Sequence, residues 1–206
     1  MNGLLDGLRP GADRQTRARA AIISAAVAVF VERGIAATRV EDILRAADVS
    51  RRTFYKYFAN KHAVLIALYE ILSDELVAEI TASVAGGGDP IAAIGDALDS
   101  YLRVHLSHAA IVRMLIEEAV QSDSPLAPLR ATFRGKVVIA LDAVFAMTAG
   151  IRVDSLVSLA LVSALEGLSL ELLSGEASDA DIARTRAVVL GLVEVVLAGA
   201  AKLPRA

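Results

Sequence analysis

Apolar residues recur at three- and four-residue intervals along nearly the whole chain of 206 residues, and no stretch alternates as a β-strand would. Between residues 17 and 33, for example, Ile22, Ala26 and Phe30 follow this spacing. Hydrophobic residues make up 55% of the chain, which is enough to bury a large core. These features predict an all-α protein whose helices bury one face or more.

Helix-boundary signals divide the chain into about nine helices with short connections. Gly34 is expected to end the first helix, and Ser50 and Asn60 are expected to cap the third and fourth. GGGDP at 86–90 is a break, with Pro90 suited to the first turn of the next helix. The predicted helices are about 17–33, a short one opening at 38, 50–58, 60–84, 90–107, 109–121, 126–148, 153–174 and 179–202.

The composition narrows the class of protein. The chain contains no cysteine, which excludes disulfides and thiolate zinc sites and favours the cytoplasm. The first twenty residues lack the pattern of a signal peptide. Two long apolar stretches, 156–173 and 187–201, contain Glu166, Glu171 and Glu194. Because a carboxylate inside a bilayer is costly, we expect both stretches to be buried against protein, with no membrane partner.

The net charge of −3 is unevenly distributed. Residues 1–61 contain eleven Lys and Arg against six acids, a charge of +5. Residues 62–206 contain ten bases against eighteen acids, a charge of −8. A basic N-terminal segment on an acidic remainder favours a surface that binds nucleic acid.

The stretch from Thr38 to Lys61 predicts a helix-turn-helix, which is two short helices joined by a tight turn. Thr38 followed by Glu41 is the pattern of a capping box that opens the first helix. The second helix is expected to run from Ser50 to about Phe58, and it is crowded with basic and aromatic side chains. In such a motif the second helix enters the major groove of double-stranded DNA with its N-terminal residues.

Residue types divide this motif into base-reading and phosphate-contacting side chains. Arginine can hydrogen-bond guanine O6 and N7 together, whereas backbone contacts fix the register without reading sequence. The predicted base-reading residues are Arg51, Arg52, Thr53 and Lys56. The predicted phosphate-contacting residues are Thr38, Arg39, Ser50, Tyr55, Tyr57 and Lys61. The alternative interpretation is a solvated basic helix in an ordinary bundle, which leaves the capping pattern, the turn and the charge split unexplained.

Residues 20–70 resemble the N-terminal domain of the TetR family of bacterial transcriptional regulators. The resemblance is carried by AIISAAVAVFVERG at 21–34 and TRVEDILRAADVSRRTFYKYFANKHAVLIALYE at 38–70. It implies that the residues named above stand where family members contact DNA. Two positions depart from the family pattern: Asp48 replaces a turn glycine and His62 replaces an acid. Asp tolerates left-handed backbone better than most residues, so the turn is expected to survive.

The resemblance also implies a ligand-responsive transcriptional repressor that binds an inverted-repeat operator as a homodimer, without enzymatic activity or a cofactor. The predicted domains are a flexible arm at 1–16, a DNA-binding domain at 17–61, and a ligand-binding and dimerisation domain at 62–206. The arm either enters the minor groove or is a disordered tail, and we favour the tail. The last two helices are expected to form the dimer interface, the alternative being the core of a monomer.

A small-molecule effector is expected to bind among the helices between residues 90 and 175. Its apolar surroundings favour an apolar molecule, whose identity the sequence does not reveal. The candidate ligand-binding residues are Tyr101, His105, His108, Arg113 and Glu117. A solvated polar face explains the same residues, and a metal site at the two histidines is not expected.

Two other classes of protein agree less well with the sequence than a regulator does. A helical-bundle enzyme is disfavoured because the chain has no E-x-x-H pair, nucleophile elbow or glycine-rich phosphate loop. A membrane-associated helical protein is disfavoured by the carboxylates within the apolar stretches.

Overall fold

Nine α-helices make up the computed structural model in the residues that it describes, 13–85, 89–149, 153–175 and 177–199. They are α1 (Arg14–Arg33), α2 (Val40–Ala47), α3 (Arg51–Tyr57), α4 (Lys61–Ala85), α5 (Pro90–Ser107), α6 (Ala109–Val120), α7 (Ala127–Ala149), α8 (Ser155–Leu173) and α9 (Asp179–Gly199). No β-strand occurs in those ranges, and the predicted all-α class is confirmed. The predicted helix boundaries agree to within a few residues, because the stop at Gly34 and the caps at Ser50 and Asn60 are present.

The chain forms two compact units. The head unit comprises residues 1–75 and 110–129, and the body unit comprises residues 76–109 and 130–206. Helix α4 continues without interruption past the predicted boundary at 61/62, and nearly all of α6 belongs to the head unit. Helical periodicity marks where an element lies along the chain, but it does not reveal which partner the element packs against.

In the head unit, α1 packs against both α2 and α3. Ile22, Phe30, Ile43 and Phe54 are at most 1% exposed. Complete burial of such side chains contributes about 1.5–3 kcal/mol each. Phe58 is also buried, so the two phenylalanines of α3 and its C-terminal cap both point into the core.

The predicted capping box at the start of α2 is wrong by one residue. Arg39 precedes the helix, and its backbone N–H donates to Asp42 Oδ2 over 3.0 Å. The Thr38 hydroxyl donates instead to the Gly34 carbonyl over 2.7 Å, and Thr38 is 1% exposed. Thr38 closes the turn after α1, and the residue that precedes α2 is Arg39.

Helix α1 begins earlier than predicted. Asp13 caps it by accepting hydrogen bonds from the backbone N–H groups of Gln15 and Thr16, over 2.7 and 3.0 Å. These bonds, with one from the Thr16 hydroxyl, lower the pKa of the Asp13 carboxyl. Residues 14–16 are therefore helical and not part of a flexible arm, and the remainder of the predicted arm, residues 1–12, lies outside the described residues.

In the body unit, α5, α8 and α9 pack against one another. Leu98, Tyr101 and Leu102 of α5 form a buried cluster with Leu172 and Val189. A second cluster contains Phe145, Val153 and Val193. Helix α8 is long and apolar enough to cross a membrane by length and composition alone, the single such helix in the described ranges. It contributes to these cores through Leu172 and to an ion pair through Glu166, which are the features of a core helix of a folded unit.

Candidate DNA-reading surface and ligand cavity

The turn between α2 and α3 is three residues long, 48–50, and left-handed at its first position. Asp48 has φ 50° and ψ 46°, the one positive φ outside glycine in the described part of the chain. The backbone N–H groups of Asp48 and Val49 both donate to the Leu44 carbonyl, which ends α2. The expectation that Asp48 adopts left-handed backbone is confirmed, and α2, the turn and α3 form a helix-turn-helix.

Helix α3 presents its basic side chains to solvent. Ser50 caps the helix by accepting from the Thr53 backbone N–H over 3.1 Å. Arg51, Arg52 and Lys56 are exposed, whereas Thr53 is half-buried. The Thr53 hydroxyl lies 2.9 Å from the Ser50 hydroxyl. The four predicted base-reading residues therefore share one short helix, with Thr53 the least accessible of them.

One predicted base-reading residue is already paired. Arg51 Nη2 donates to Glu41 Oε1 of α2 over 2.5 Å, and the two side chains are 64% and 50% exposed. The neighbouring carboxylate, Asp42, is paired with Arg33 of α1 over 3.1 Å. The Arg51 pair is open to water, so it is weak and can be exchanged for another anion.

The predicted phosphate-contacting residues fall into two groups. Arg39, Ser50 and Tyr55 are exposed, and Tyr57 is partly exposed beneath the Lys56 ammonium, which lies 5.3 Å from its ring centroid. Thr38 is buried, with its hydroxyl bonded to the Gly34 carbonyl. Its side chain is thus not presented at the surface where a phosphate would bind.

Lys61 is engaged inside the head unit. Its Nζ donates to the backbone carbonyls of Ile35, Ala36 and Thr38 over 2.7, 2.9 and 2.8 Å. An ammonium group has three donors, so all of them are used. In this structure Lys61 fastens the start of α4 to the α1–α2 connection, which differs from the predicted phosphate contact. The sequence indicates the charge of Lys61 but not these carbonyl partners.

A cavity of about 100 Å³ lies within the body unit. Helices α4, α5, α7, α8 and α9 of that unit contribute to its wall. All but two of the lining side chains are hydrocarbon, the exceptions being Tyr101 and Glu166. An apolar space of this kind accepts an apolar molecule or chain.

The five predicted ligand-binding residues are divided between the two units. Tyr101 lines the cavity, and His105 is buried beside it, with Nδ1 2.8 Å from the Tyr101 carbonyl and the two rings stacked at 3.7 Å. Burial lowers the pKa of His105 to about 4. His108 is partly buried and is not among the lining residues. Arg113 and Glu117 belong to the head unit, where they are exposed and 3.7 Å apart. The chain passes from one unit to the other at residues 109/110.

Sequence analysis missed an ion cluster beside the cavity. Arg130 Nη2 lies 2.6 Å from Glu166 Oε2, and Arg134 Nε lies 3.6 Å from the same oxygen. Arg134 also donates to the Ser163 hydroxyl. The three charged side chains are 13–24% exposed. A signal existed in the sequence, since Arg130 and Arg134 are four residues apart on one predicted helix and Glu166 interrupts an apolar one.

Comparison with known proteins agrees with this geometry. Residues 22–68, which include most of α1 and all of the helix-turn-helix, match the family described as bacterial regulatory proteins, tetR family. The HTH-type transcriptional repressor KstR2 of Rhodococcus jostii (strain RHA1) is 32% identical over 95 residues, 45% of this chain and 46% of that protein. The chain spans less than half the length of the curated relatives that it matches.

Solved structures share the fold over most of the chain. A TetR-family regulator from Syntrophomonas wolfei superposes with a TM-score of 0.74 at 18% identity, covering 90% of this chain and 97% of that one. FadR of Thermus thermophilus, a repressor in complex with lauroyl-CoA, gives 0.62 at 21% identity, covering 87% and 92%. At these identities the likeness shows the fold alone.

The helix-turn-helix and its exposed basic helix define a class of DNA-binding proteins. Within that class, residues 22–68 match the DNA-binding domain of the TetR family of bacterial transcriptional regulators.

Proposed function

We propose that this protein is a ligand-responsive transcriptional repressor that binds an inverted-repeat operator as a homodimer. The observation that carries the proposal is helix α3, which is held by a complete helix-turn-helix and exposes Arg51, Arg52 and Lys56 together. The family match covers the same residues. A cytoplasmic location follows from this function. An enzyme is not proposed, because the family match covers the helix-turn-helix of a regulator.

The DNA-binding function is assigned to the predicted 17–61 segment. Arg51, Arg52 and Lys56 are the proposed base-reading residues, with Thr53 in a lesser role because its hydroxyl is already paired. Arg39, Ser50, Tyr55 and Tyr57 are the proposed phosphate-contacting residues. In this arrangement α3 enters the major groove, and the surrounding donors set its register.

Dimerisation is assigned to α8 and α9. Leu156 on α8 and Val195 on α9 are 68% and 70% exposed, and Val188 and Leu192 are also exposed. Long apolar side chains exposed on two adjacent helices favour burial against another protein surface. A second copy of the chain would supply that surface and would bring two α3 helices to the two halves of a palindrome.

The effector is assigned to the body-unit cavity. Its hydrocarbon wall favours an apolar molecule, and the lauroyl-CoA complex of the Thermus thermophilus repressor shows that a protein of this fold accepts an acyl compound. A ligand that binds one conformation of the body unit better than another would shift the population of dimers able to match the operator spacing.

The test combines binding and assembly measurements. Fluorescence anisotropy with DNA from upstream of the gene should give sequence-selective binding that weakens steeply with salt, and light scattering should give a dimer. Arg52→Ala should reduce discrimination between operators at particular base pairs by about 1–3 kcal/mol. Tyr55→Phe should weaken binding to all DNA sequences about equally. Binding that is equal for all sequences would contradict the proposal, as would a monomer on a palindromic site.

A further inference from the structure

We propose that the effector is an aliphatic carboxylate, with its chain in the body-unit cavity and its carboxylate bound by Arg130 and Arg134. This rests on the cavity being the effector site, and it adds the chemical class of the effector. The argument uses the unequal charges beside the cavity, the unused donors of the two arginines and the size of the cavity.

The charges beside the cavity are unequal. Arg130 and Arg134 both approach one oxygen of Glu166, so two guanidinium groups share a single carboxylate. The three side chains are at most 24% exposed. Buried charges are normally paired, because removing them from water is costly. One further negative charge would balance the cluster, which a carboxylate supplies and a phosphate dianion exceeds.

Both arginines also have unused donors. The Nε atoms of Arg130 and Arg134 are buried and have no hydrogen-bond partner within the described residues. The 3.6 Å from Arg134 Nε to Glu166 is too long for a hydrogen bond. Unsatisfied buried donors are uncommon in folded proteins. A guanidinium group binds a carboxylate through two parallel N–H bonds, so a bound carboxylate would use these donors. Glu79 Oε2 is likewise buried and unbonded, but it makes no ion pair with either arginine.

The volume of the cavity limits the length of the aliphatic chain that it can hold. Glu166 is a lining residue, which places the ion cluster at the cavity wall. The cavity holds about 100 Å³, and the remaining wall is hydrocarbon except for Tyr101. An engineered cavity of about 150 Å³ binds benzene, so about six carbons of a chain is a suitable occupant. Octanoate is the probe of choice, because it has a six-carbon tail followed by one methylene and the carboxylate carbon.

The experiment compares octanoate with octan-1-ol on the full-length protein, by isothermal titration calorimetry and thermal shift. Octanoate should bind at least tenfold more tightly, because the alcohol has the same chain and no charge. Equal binding of the two would overturn the carboxylate proposal and would leave only an apolar pocket. If neither compound bound, both the cavity assignment and this inference would be wrong.

Two substitutions should act in opposite directions. Arg134→Met should remove most of the preference for octanoate over octanol. Glu166→Gln removes the competing carboxylate, so it should increase octanoate affinity severalfold and give a larger thermal shift. Loss of octanoate binding in Glu166→Gln would contradict the proposal even if Arg134→Met failed to fold. Arg113→Met is the matched control, since Arg113 is an exposed arginine in the head unit.

A DNA-binding measurement distinguishes failure of the proposed repressor function from failure of the proposed ligand class. Failure of the wild-type protein to bind DNA would refute the repressor function without affecting the octanoate measurement. Selective DNA binding without an octanoate preference would refute only the ligand class.

Discussion

The ammonium group of Lys61 donates a hydrogen bond to the backbone carbonyl of Thr38 over 2.8 Å, which ties the first residue of α4 to the segment that leads into α2. Two further bonds to Ile35 and Ala36 complete its donors. The charge of Lys61 is therefore used to satisfy carbonyls of the α1–α2 connection. Helix α4 starts from this connection and continues into the body unit.

Lys61→Met tests whether this lysine holds the fold or contacts DNA. We expect the free energy of unfolding to fall by about 2 kcal/mol, since hydrogen bonds from a charged donor are lost. We also expect the dependence of operator affinity on salt to stay the same, because a phosphate contact should not be lost. Urea denaturation and anisotropy at several salt concentrations measure both. Lys56→Met is the control, as Lys56 is exposed on α3. If the slope of log affinity against log salt concentration fell by about one and stability were unchanged, the result would support the phosphate contact instead.

Glu41→Gln tests the pair that holds Arg51 away from DNA. The carboxylate must release Arg51 before that arginine can reach a base, and exposed pairs are worth up to about 1 kcal/mol. We expect operator affinity to rise by about fivefold, with stability nearly unchanged. Glu32→Gln removes an equal charge from an exposed residue on α1 that pairs with Arg33. An equal gain in both variants would mean that net charge, and not the freed arginine, is responsible.

Asp48 tests the geometry of the turn. A β-branched residue in left-handed backbone costs about 1–2 kcal/mol, so Asp48→Val should lower the free energy of unfolding by that amount. Asp48→Gly should be nearly neutral, because the relief of strain is offset by greater freedom of the unfolded chain. Urea denaturation of the three proteins gives the order. A glycine variant as unstable as the valine variant would show that the Asp48 carboxylate has another role.

His105 makes stability depend on pH. Its pKa is lowered from 6.5 to about 4 by burial, so the folded protein binds fewer protons than the unfolded chain between those values. Stability is therefore full above about pH 7 and falls by about 2 kcal/mol on going to pH 5, with the loss complete below the folded pKa. Urea denaturation across this range should show the slope, and His105→Gln should flatten it. His62→Gln, at an exposed histidine, should not. An unchanged slope in His105→Gln would assign it to other groups.

Local sequence signals predicted local structure well. Gly34, Ser50, Asn60 and Pro90 act within a few residues along the chain, through left-handed backbone, side-chain caps and a missing N–H. Even the unusual Asp48 was assigned its conformation from residue type. The single misplaced cap is at Thr38, whose hydroxyl donates to the Gly34 carbonyl.

The site residues show which properties local sequence signals do not predict. Arg51, Arg52 and Lys56 share an exposed face because a single short helix carries them, so helical periodicity was sufficient. The surroundings of Lys61 and Arg113 depend on packing between elements, which helical periodicity does not specify. The presence of a charged residue in the sequence does not indicate whether backbone carbonyls or solvent will surround its side chain.

By itself, the sequence determined the class of fold, the nine helices of the described residues and the helix-turn-helix, because these depend on interactions between residues a few positions apart. Only the tertiary structure decided that α6 joins the head unit. It also decided that the Lys61 ammonium donates hydrogen bonds to carbonyls 23–26 residues away. Finally, it decided that Arg130 and Arg134 pair with Glu166 beside an apolar cavity. These contacts join distant segments. Their partners are selected by the burial of whole helix faces, which no local pattern specifies.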